Sequence, residues 1–285
     1  MFSDIANVAR SFASHPLTRD AQFSAWTRFV SWQLKSRMQS EVVVPWIADQ
    51  RLVVRRGMAG ATGNIYSGLH EFAEMMLVLH FLRKDDCFLD IGANVGTYTV
   101  LASGVARART LAFEPDAQAA SDLRRNVATN GLEQLVTVHE LALGPADGDI
   151  NFTYGRGTEN RVATATDSAV QTVRQRRLDS LITDQQPIMI KMDVESYEAE
   201  VFAGAAAVLA NPNLRIIQME TTPDALKPLL VGHRFQCVRY DPFRRSFENR
   251  SFTPGSTDFI FIRDPDFVRA RISEASQVRI LGHSI

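Results

Sequence analysis

Cysteine is scarce in this chain. Two cysteines in 285 residues leave no room for a disulfide framework or a thiolate zinc site. Cys87 and Cys237 each sit in an apolar, strand-like run and read as reduced core thiols. An excess of one charge is missing as well. The 31 Lys and Arg oppose 32 Asp and Glu, so nothing predicts a general attraction to nucleic acid or to an anionic membrane. No apolar run approaches the ~20 residues that span a bilayer. Asp4, Arg10, His15, Arg19 and Asp20 interrupt the first thirty residues, where a secretory signal would lie. The expectation is a soluble cytoplasmic protein with no membrane span and no nucleic-acid partner. Neither an internal repeat nor a low-complexity tract is visible. The length suits one large α/β domain with an extension.

The organising stretch is Phe88 to Ser103. A short apolar run, Cys87-Phe88-Leu89, reads as a buried strand and ends in Asp90. A turn follows, Gly92-Ala93-Asn94-Val95-Gly96, and Thr97-Tyr98-Thr99-Val100-Leu101-Ala102 resumes as a helix. Strand, glycine turn and helix is how an open α/β sheet makes a nucleotide pocket at a strand's carboxyl end. Upstream, residues 1 to about 40 read as helical, with Phe23, Trp26, Phe29, Val30 and Leu34 as an apolar stripe. That stripe either packs the segment onto the domain or serves as a lid or dimer contact. Val42–Ile47 and Leu52–Val54 read as a hairpin, and Arg56–Asn64 as a glycine-rich loop. The composition shifts near residue 65. It divides an N-terminal extension (1–64), serving as cap, lid or homodimer contact, from the α/β domain (65–285). Further buried strands are expected at Arg109–Phe113, Leu135–His139, Pro187–Met192 and Leu214–Glu220. Antiparallel strands are expected near 149–154 and 169–173, and Phe235–Tyr240 with Asp258–Ile262 as an antiparallel pair closing the sheet.

Four strands end in a carboxylate: Asp90, Glu114, Asp193 and Glu220. Ligands of open α/β sheets sit beyond the strand carboxyl ends, so the group suggests a polar ligand bearing hydroxyls or positive charge. Glu114 closes the second strand, where an acid accepts both hydroxyls of an adenosine ribose. NAD(H) would use the same acid, but its turn wants G-x-G-x-x-G. Here Asn94 stands at the second glycine and Thr97 at the third. Asp90 beside the loop repels phosphate and suits an ammonium or sulfonium. S-adenosylmethionine has the ribose, the adenine, the cationic tail and no phosphate.

DIGANVGTYT (Asp90–Thr99), AFEP (Ala112–Pro115), the LRRNVATN helix with Asn126 and Asn130, and IKMDVES-YE (Ile190–Glu198) together resemble the FkbM type of class I S-adenosylmethionine-dependent methyltransferase. The resemblance covers roughly residues 65 to 265. Ile65–Glu71 also resembles the family's segment before the first core helix, where a Glu is common. The resemblance implies a Rossmann-like, seven-stranded sheet, mostly parallel with its last strand antiparallel, and helices on both faces. It also implies methyl transfer to a hydroxyl oxygen of a sugar, glycolipid or secondary metabolite. Two positions depart from the pattern. Ser196 replaces a glycine, tolerable if it caps the next helix. Thr222 stands where a His is frequent.

The expected donor-binding set is Glu71, Asp90, Gly92, Ala93, Asn94, Gly96, Thr97, Tyr98, Glu114, Pro115, Asp193 and, beside the adenine, Glu140, Leu141 and Ala142. Asp193 is the expected base or orienting acid with Glu195 second, because hydroxyl methylation removes a proton. His70, Asn160 and Glu220 are expected on the acceptor side, and Lys191 as a buried partner for one of the acids. No metal is assigned. Mg²⁺ on Asp193, Glu195 and Glu220 is the less favoured addition. Selectivity is expected from the loops at 57–64, 155–161 and 240–250, the last with Arg244-Arg245. The rivals are an amino-group methyltransferase, a non-catalytic S-adenosylmethionine-binding scaffold and an NAD oxidoreductase. The chain lacks the Asn/Asp-Pro-Pro-aromatic motif of many enzymes of the first kind.

Overall fold

The computed structural model describes residues 2–155, 160–220, 226–251 and 257–285. Two helices open the chain, α1 (Phe2–Ser14) and α2 (Gln22–Met38). The stripe read from the sequence is packed only in part. Ala25 and Trp32 are buried, Trp26 and Phe29 are half-buried, and Phe23 (86%) and Leu34 (59%) stand exposed. Trp26 and Phe29 pack with Phe12 and Tyr66, so the large rings set the helix rotation. Strands β1 (Val42–Pro45) and β2 (Arg51–Val54) form the expected hairpin.

The glycine-rich stretch expected as a loop is largely helix α3 (Ala59–Ser67). Glycine disfavours a helix by about 1 kcal/mol relative to alanine, but packing decides here. A Cβ on Gly63 would lie 2.6 Å from the His70 ring. The boundary drawn between residues 64 and 65 therefore runs through α3. Helix α4 (Phe72–Phe81) is buried along nearly its whole length.

The α/β core follows in order. It runs β3 (Cys87–Ile91), α5 (Thr97–Val100) continuing as a π-helical turn over Leu101–Val105, β4 (Arg109–Phe113), α6 (Ala117–Thr129) and β5 (Val136–His139). Next come β6 (Ala142–Leu143), β7 (Gly148–Thr153) and β8 (Val170–Arg176), a small separate sheet in the order β6-β8-β7. Then come α7 (Leu178–Leu181), β9 (Pro187–Met192), α8 (Glu198–Ala203), α9 (Ala206–Ala210), β10 (Ile216–Met219) and α10 (Leu226–Gly232). The chain closes with β11 (Gln236–Asp241), β12 (Ser246–Asn249), β13 (Phe259–Ile262), α11 (Pro265–Ser273), β14 (Arg279–Ile280) and β15 (His283–Ser284).

The main sheet has eight strands in the order β12-β11-β13-β10-β9-β3-β4-β5. Strands β3, β4, β5, β9 and β10 run parallel, and β13 runs antiparallel to both β10 and β11. The expected seven strands are all present. The eighth, β12, lies in the segment expected as a polar loop. It is an edge strand, where polar residues such as Glu248 and Asn249 keep one side solvated. In β3, Phe88 packs into one core and Leu89 into the core on the other face. A strand buried on both faces is apolar without alternation, as this one is.

The chain leaves β3 toward β4 and β5, then crosses back to place β9 on the other side of β3. That reversal opens a crevice at the carboxyl ends of β3 and β9. The extension is tied to the core by side chains of α6. Val53 N–H donates to Asn126 Oδ1 and Arg51 N–H to Asn130 Oδ1, both at 2.7 Å.

Candidate active site

The turn after β3 is built from left-handed backbone. Gly92, Asn94 and Gly96 have φ of 75°, 50° and 86°. Gly92 and Ala93 N–H both donate to the Phe113 carbonyl, at 2.9 and 3.0 Å, which pins the turn to the end of β4. A Cβ on Gly92 would sit 1.8 Å from the Asp193 carbonyl oxygen, so only glycine lets the two strand ends approach. Asn94 tolerates the αL conformation because its own Oδ1 accepts the Val95 N–H at 2.7 Å.

Glu114 is buried at the end of β4. Its two oxygens accept Asn94 N–H and Asp116 N–H, each at 2.8 Å. Burial pushes its carboxyl up to about 7 despite those bonds. Asp90 is buried at the end of β3 and accepts the Thr99 hydroxyl at 2.5 Å. Burial raises it to about 6. Both acids are under-compensated, and a group offering hydroxyls or positive charge would stabilise their ionised forms.

Across the crevice, Lys191 is the buried cation of β9, registered between Asp90 of β3 and Gln218 of β10. Its Nζ lies 3.5 Å from Glu71 and 3.8 Å from Asp193, over the Tyr98 ring. Burial works against an ammonium there, but the carboxylates of Glu71 and Asp193 outweigh it and raise Lys191 above its ordinary value. Burial likewise works against Glu71. Lys191 and the Tyr98 hydroxyl, which donates to Glu71 at 2.5 Å, overrule it and hold Glu71 below its usual range. Lys191 therefore has the role of acid partner read from the sequence.

Asp193, Glu195 and Glu220 gather beyond it, each with a carboxylate oxygen within 4.8 Å of the others. Burial and the neighbouring Asp193 and Glu195 push Glu220 up, so the cluster retains a proton where isolated carboxylates would not. Chemically, the three oxygens also make a ligand set for a hard divalent cation. The chain bends sharply after β9, with Glu195 at φ 52° and Ser196 at φ 72°. Ser196 does not cap the next helix. The N-cap of α8 is Tyr197, whose side chain makes no capping bond. The family's glycine fits this position because the backbone is left-handed.

One cavity of about 310 Å³ joins the two halves. Of the donor-side expectations, Glu71, Asp90, Gly92, Ala93, Asn94, Thr97, Tyr98, Glu114, Pro115, Leu141, Ala142 and Asp193 line it. So do Glu195 and the acceptor-side residues His70, Asn160 and Glu220. Gly96 does not line it. It starts α5, where a Cβ would meet Leu123 at 2.1 Å. Glu140 is a correction. Its carboxylate takes Arg124 at 2.7 Å outside the cavity, because side chains alternate along an extended segment and Leu141 takes the inward side.

The 240–250 loop is a second correction. Arg245 donates to the carbonyls of Ile272 and Ala275 near the end of α11, and Arg244 is an exposed partner of Asp241. Neither lines the cavity. Of the 155–161 loop, residues 156–159 lie outside the described residues, as does Thr222. The sequence reading missed Asp116, which caps α6 through Ala119 N–H and receives Asn160 Nδ2 at 3.3 Å. Its signal was present, an acid directly before an alanine-rich helix. Phe152 and Tyr197, also in the lining, carried no such signal.

The family model described as methyltransferase FkbM domain matches residues 90–263. Hexuronic acid methyltransferase AglP of Haloferax volcanii is 28% identical over 152 residues. That match covers 52% of this chain and 62% of AglP, so it spans less than two thirds of the relative. Among solved structures, precorrin-6y C5,15-methyltransferase of Geobacter metallireducens has a TM-score of 0.42 at 16% identity, covering 77% of this chain and 97% of its own. An rRNA methylase of Streptococcus thermophilus has a TM-score of 0.39 at 12% identity, covering 67% of this chain and 92% of its own. Among the described residues, no helix is long and apolar enough to cross a membrane.

Proposed function

Because the chain belongs to the FkbM methyltransferase family, we propose that it is an S-adenosylmethionine-dependent O-methyltransferase acting on a hydroxyl of a small acceptor, a sugar, a glycolipid or a secondary metabolite. The observation that carries this reading is a single cavity with two chemically unlike halves. One half offers two buried acids, Glu114 and Asp90, beside a glycine turn. The other offers three carboxylates, Asp193, Glu195 and Glu220, with oxygens within 4.8 Å of one another.

The residues fit the donor. Glu114 keeps lone pairs beyond the two N–H bonds it accepts and can take the ribose hydroxyls. Asp90 faces the cationic tail beside the Gly92 turn. When bound, the donor supplies a methyl group on a sulfonium, already a strong electrophile. The chain's own work is then orientation and proton removal. Asp193 takes the acceptor's proton, with Glu195 second. Lys191 at 3.8 Å holds Asp193 in place, and Glu220 holds the neighbouring proton. The reading requires no Mg²⁺ on these acids. A relative named for hexuronic acid supports a sugar as acceptor.

The test is incubation with methyl-labelled S-adenosylmethionine and a panel of hexoses, hexuronic acids and alkyl glycosides, followed by location of the label. Label on an acceptor oxygen supports the reading. Label on nitrogen, or tight NAD(H) binding with no S-adenosylmethionine binding, overturns it. Donor binding without transfer to any acceptor favours a scaffold.

A further inference from the structure

A second groove of about 320 Å³ lies on the far side of α3, between α2, the β1–β2 hairpin and the Ile280-Leu281 turn. It is about as large as the active cavity and shares none of its lining. Its walls are mainly apolar, led by Trp32, Trp46 and Ile65, with Thr27, Ser31 and Asn64 as neutral polar groups. The Trp46 indole N–H is already committed to the Gly68 carbonyl at 2.6 Å, so the ring contributes an apolar surface.

Two cations, Arg28 and Lys35, line this groove from the same face of α2, two turns apart, and no Asp or Glu lines it. Arg28 Nε donates to the Tyr66 carbonyl at 2.8 Å, but its Nη2 is buried with no acceptor. Lys35 has no carboxylate partner among the described residues. A half-buried guanidinium with one shielded N–H unbonded gains from an anion placed beside it. Burial holds Arg28 below its ordinary value, as an uncompensated cation should be.

We propose that this groove is a binding site for a small amphipathic anion, with a phosphate or carboxylate head on Arg28 and Lys35 and an apolar body against Trp32 and Trp46. Charge complementarity selects the head, because the site offers two cations and no acid. The indole faces select the body. A planar, forked guanidinium suits an oxyanion better than a neutral hydroxyl.

Two of the three tryptophans line the groove, so intrinsic fluorescence of the full chain reads its occupancy. Decyl phosphate is titrated beside decanol, inorganic phosphate and anionic phospholipid vesicles, with calorimetry as a second readout. Decyl phosphate is expected to bind saturably. It should bind at least about tenfold more tightly than decanol or inorganic phosphate, the range a charge-assisted hydrogen bond supplies. Lys35→Gln, at an exposed position, and Arg28→Gln are each expected to weaken it by about fivefold or more. If Arg28→Gln does not fold, Lys35→Gln decides. Equal binding of decanol, equal binding of inorganic phosphate, or wild-type binding by the variants overturns the proposal. Vesicle binding without decyl phosphate binding also overturns it, in favour of a membrane surface.

Discussion

Replacing Lys191 with methionine isolates the electrostatic centre of the site. Lys191 is 4% exposed and is the cation between Glu71 and Asp193, at 3.5 and 3.8 Å. Methionine matches its length and fills the strand position, so packing changes little. The loss is the charge. Removing one partner of a buried ion pair costs about 3–5 kcal/mol, because the other partner is left uncompensated. Here Glu71 and Asp193 are each about one-third exposed, and water screens them. That reduces the cost to about 2–3 kcal/mol. For a chain of this size it corresponds to a fall in Tm of about 4–10 °C. The sign with pH follows from the shifts. Glu71 is held below its ordinary value, so its contribution is present above the unfolded carboxylate pKa and is lost as pH falls through the folded one. Lys191 is raised, so its contribution is present up to the ordinary lysine value and is lost above it. The gap in Tm between wild type and Lys191→Met should be full at neutral pH and shrink toward about pH 4. Thermal melts across that range measure it. A gap that is constant with pH, or no gap at all, refutes the assignment.

Gly92→Ala forces a Cβ against the Asp193 carbonyl and a methyl side chain into left-handed backbone. About 2–5 kcal/mol of stability is expected to go, with donor affinity down by about tenfold or more by calorimetry; unchanged affinity contradicts the turn's role. Ser196→Gly relieves left-handed strain of about 1–2 kcal/mol against about 0.5–1 kcal/mol of added unfolded-chain entropy. Tm should rise by a degree or more, and a fall would refute the strain argument. Glu74 and Glu114 are raised to about 7 by burial, and Glu220 is raised as well. Their stability contribution is present below the ordinary carboxylate range and lost as pH rises through the folded values. His15, His80 and His139, lowered by burial, oppose this only below about pH 6.5. Tm of the free protein should therefore fall from about pH 6.5 to about pH 8.5, and a rise over that window contradicts the burial of these acids.

The glycine turn and its two buried acids were legible because their signals are local. A buried strand announces itself by an apolar run, its end by an acid, and a left-handed turn by Gly92, Asn94 and Gly96. Asp90 and Glu114 could be placed at neighbouring strand ends from order alone. What failed depended on rotation or partners. Glu140 and Leu141 differ by one residue, and one residue reverses the side of an extended chain. The α2 stripe is packed only at Trp26 and Phe29, because their ring contacts with Phe12 and Tyr66 set the helix rotation and the sequence does not name those partners. The 57–64 glycines resembled a loop until the His70 ring gave Gly63 a packing reason to be small. Arg244-Arg245 had the chemistry of a binding pair, yet the carbonyls near the end of α11 claim Arg245. Lys191 stood between: its sequence position told of a buried partner, but only register and distance identified Glu71 and Asp193.

The central claim is that one cavity divides donor binding from proton removal. Asp193→Asn tests it most directly. S-adenosylmethionine affinity is measured by calorimetry and methyl transfer by labelled product, on the same preparation. The account expects affinity to stay within a few-fold while turnover falls by about 100-fold or more, the scale of a lost general base. An equal loss of both would move Asp193 into donor binding, and unchanged turnover would remove it from the chemistry.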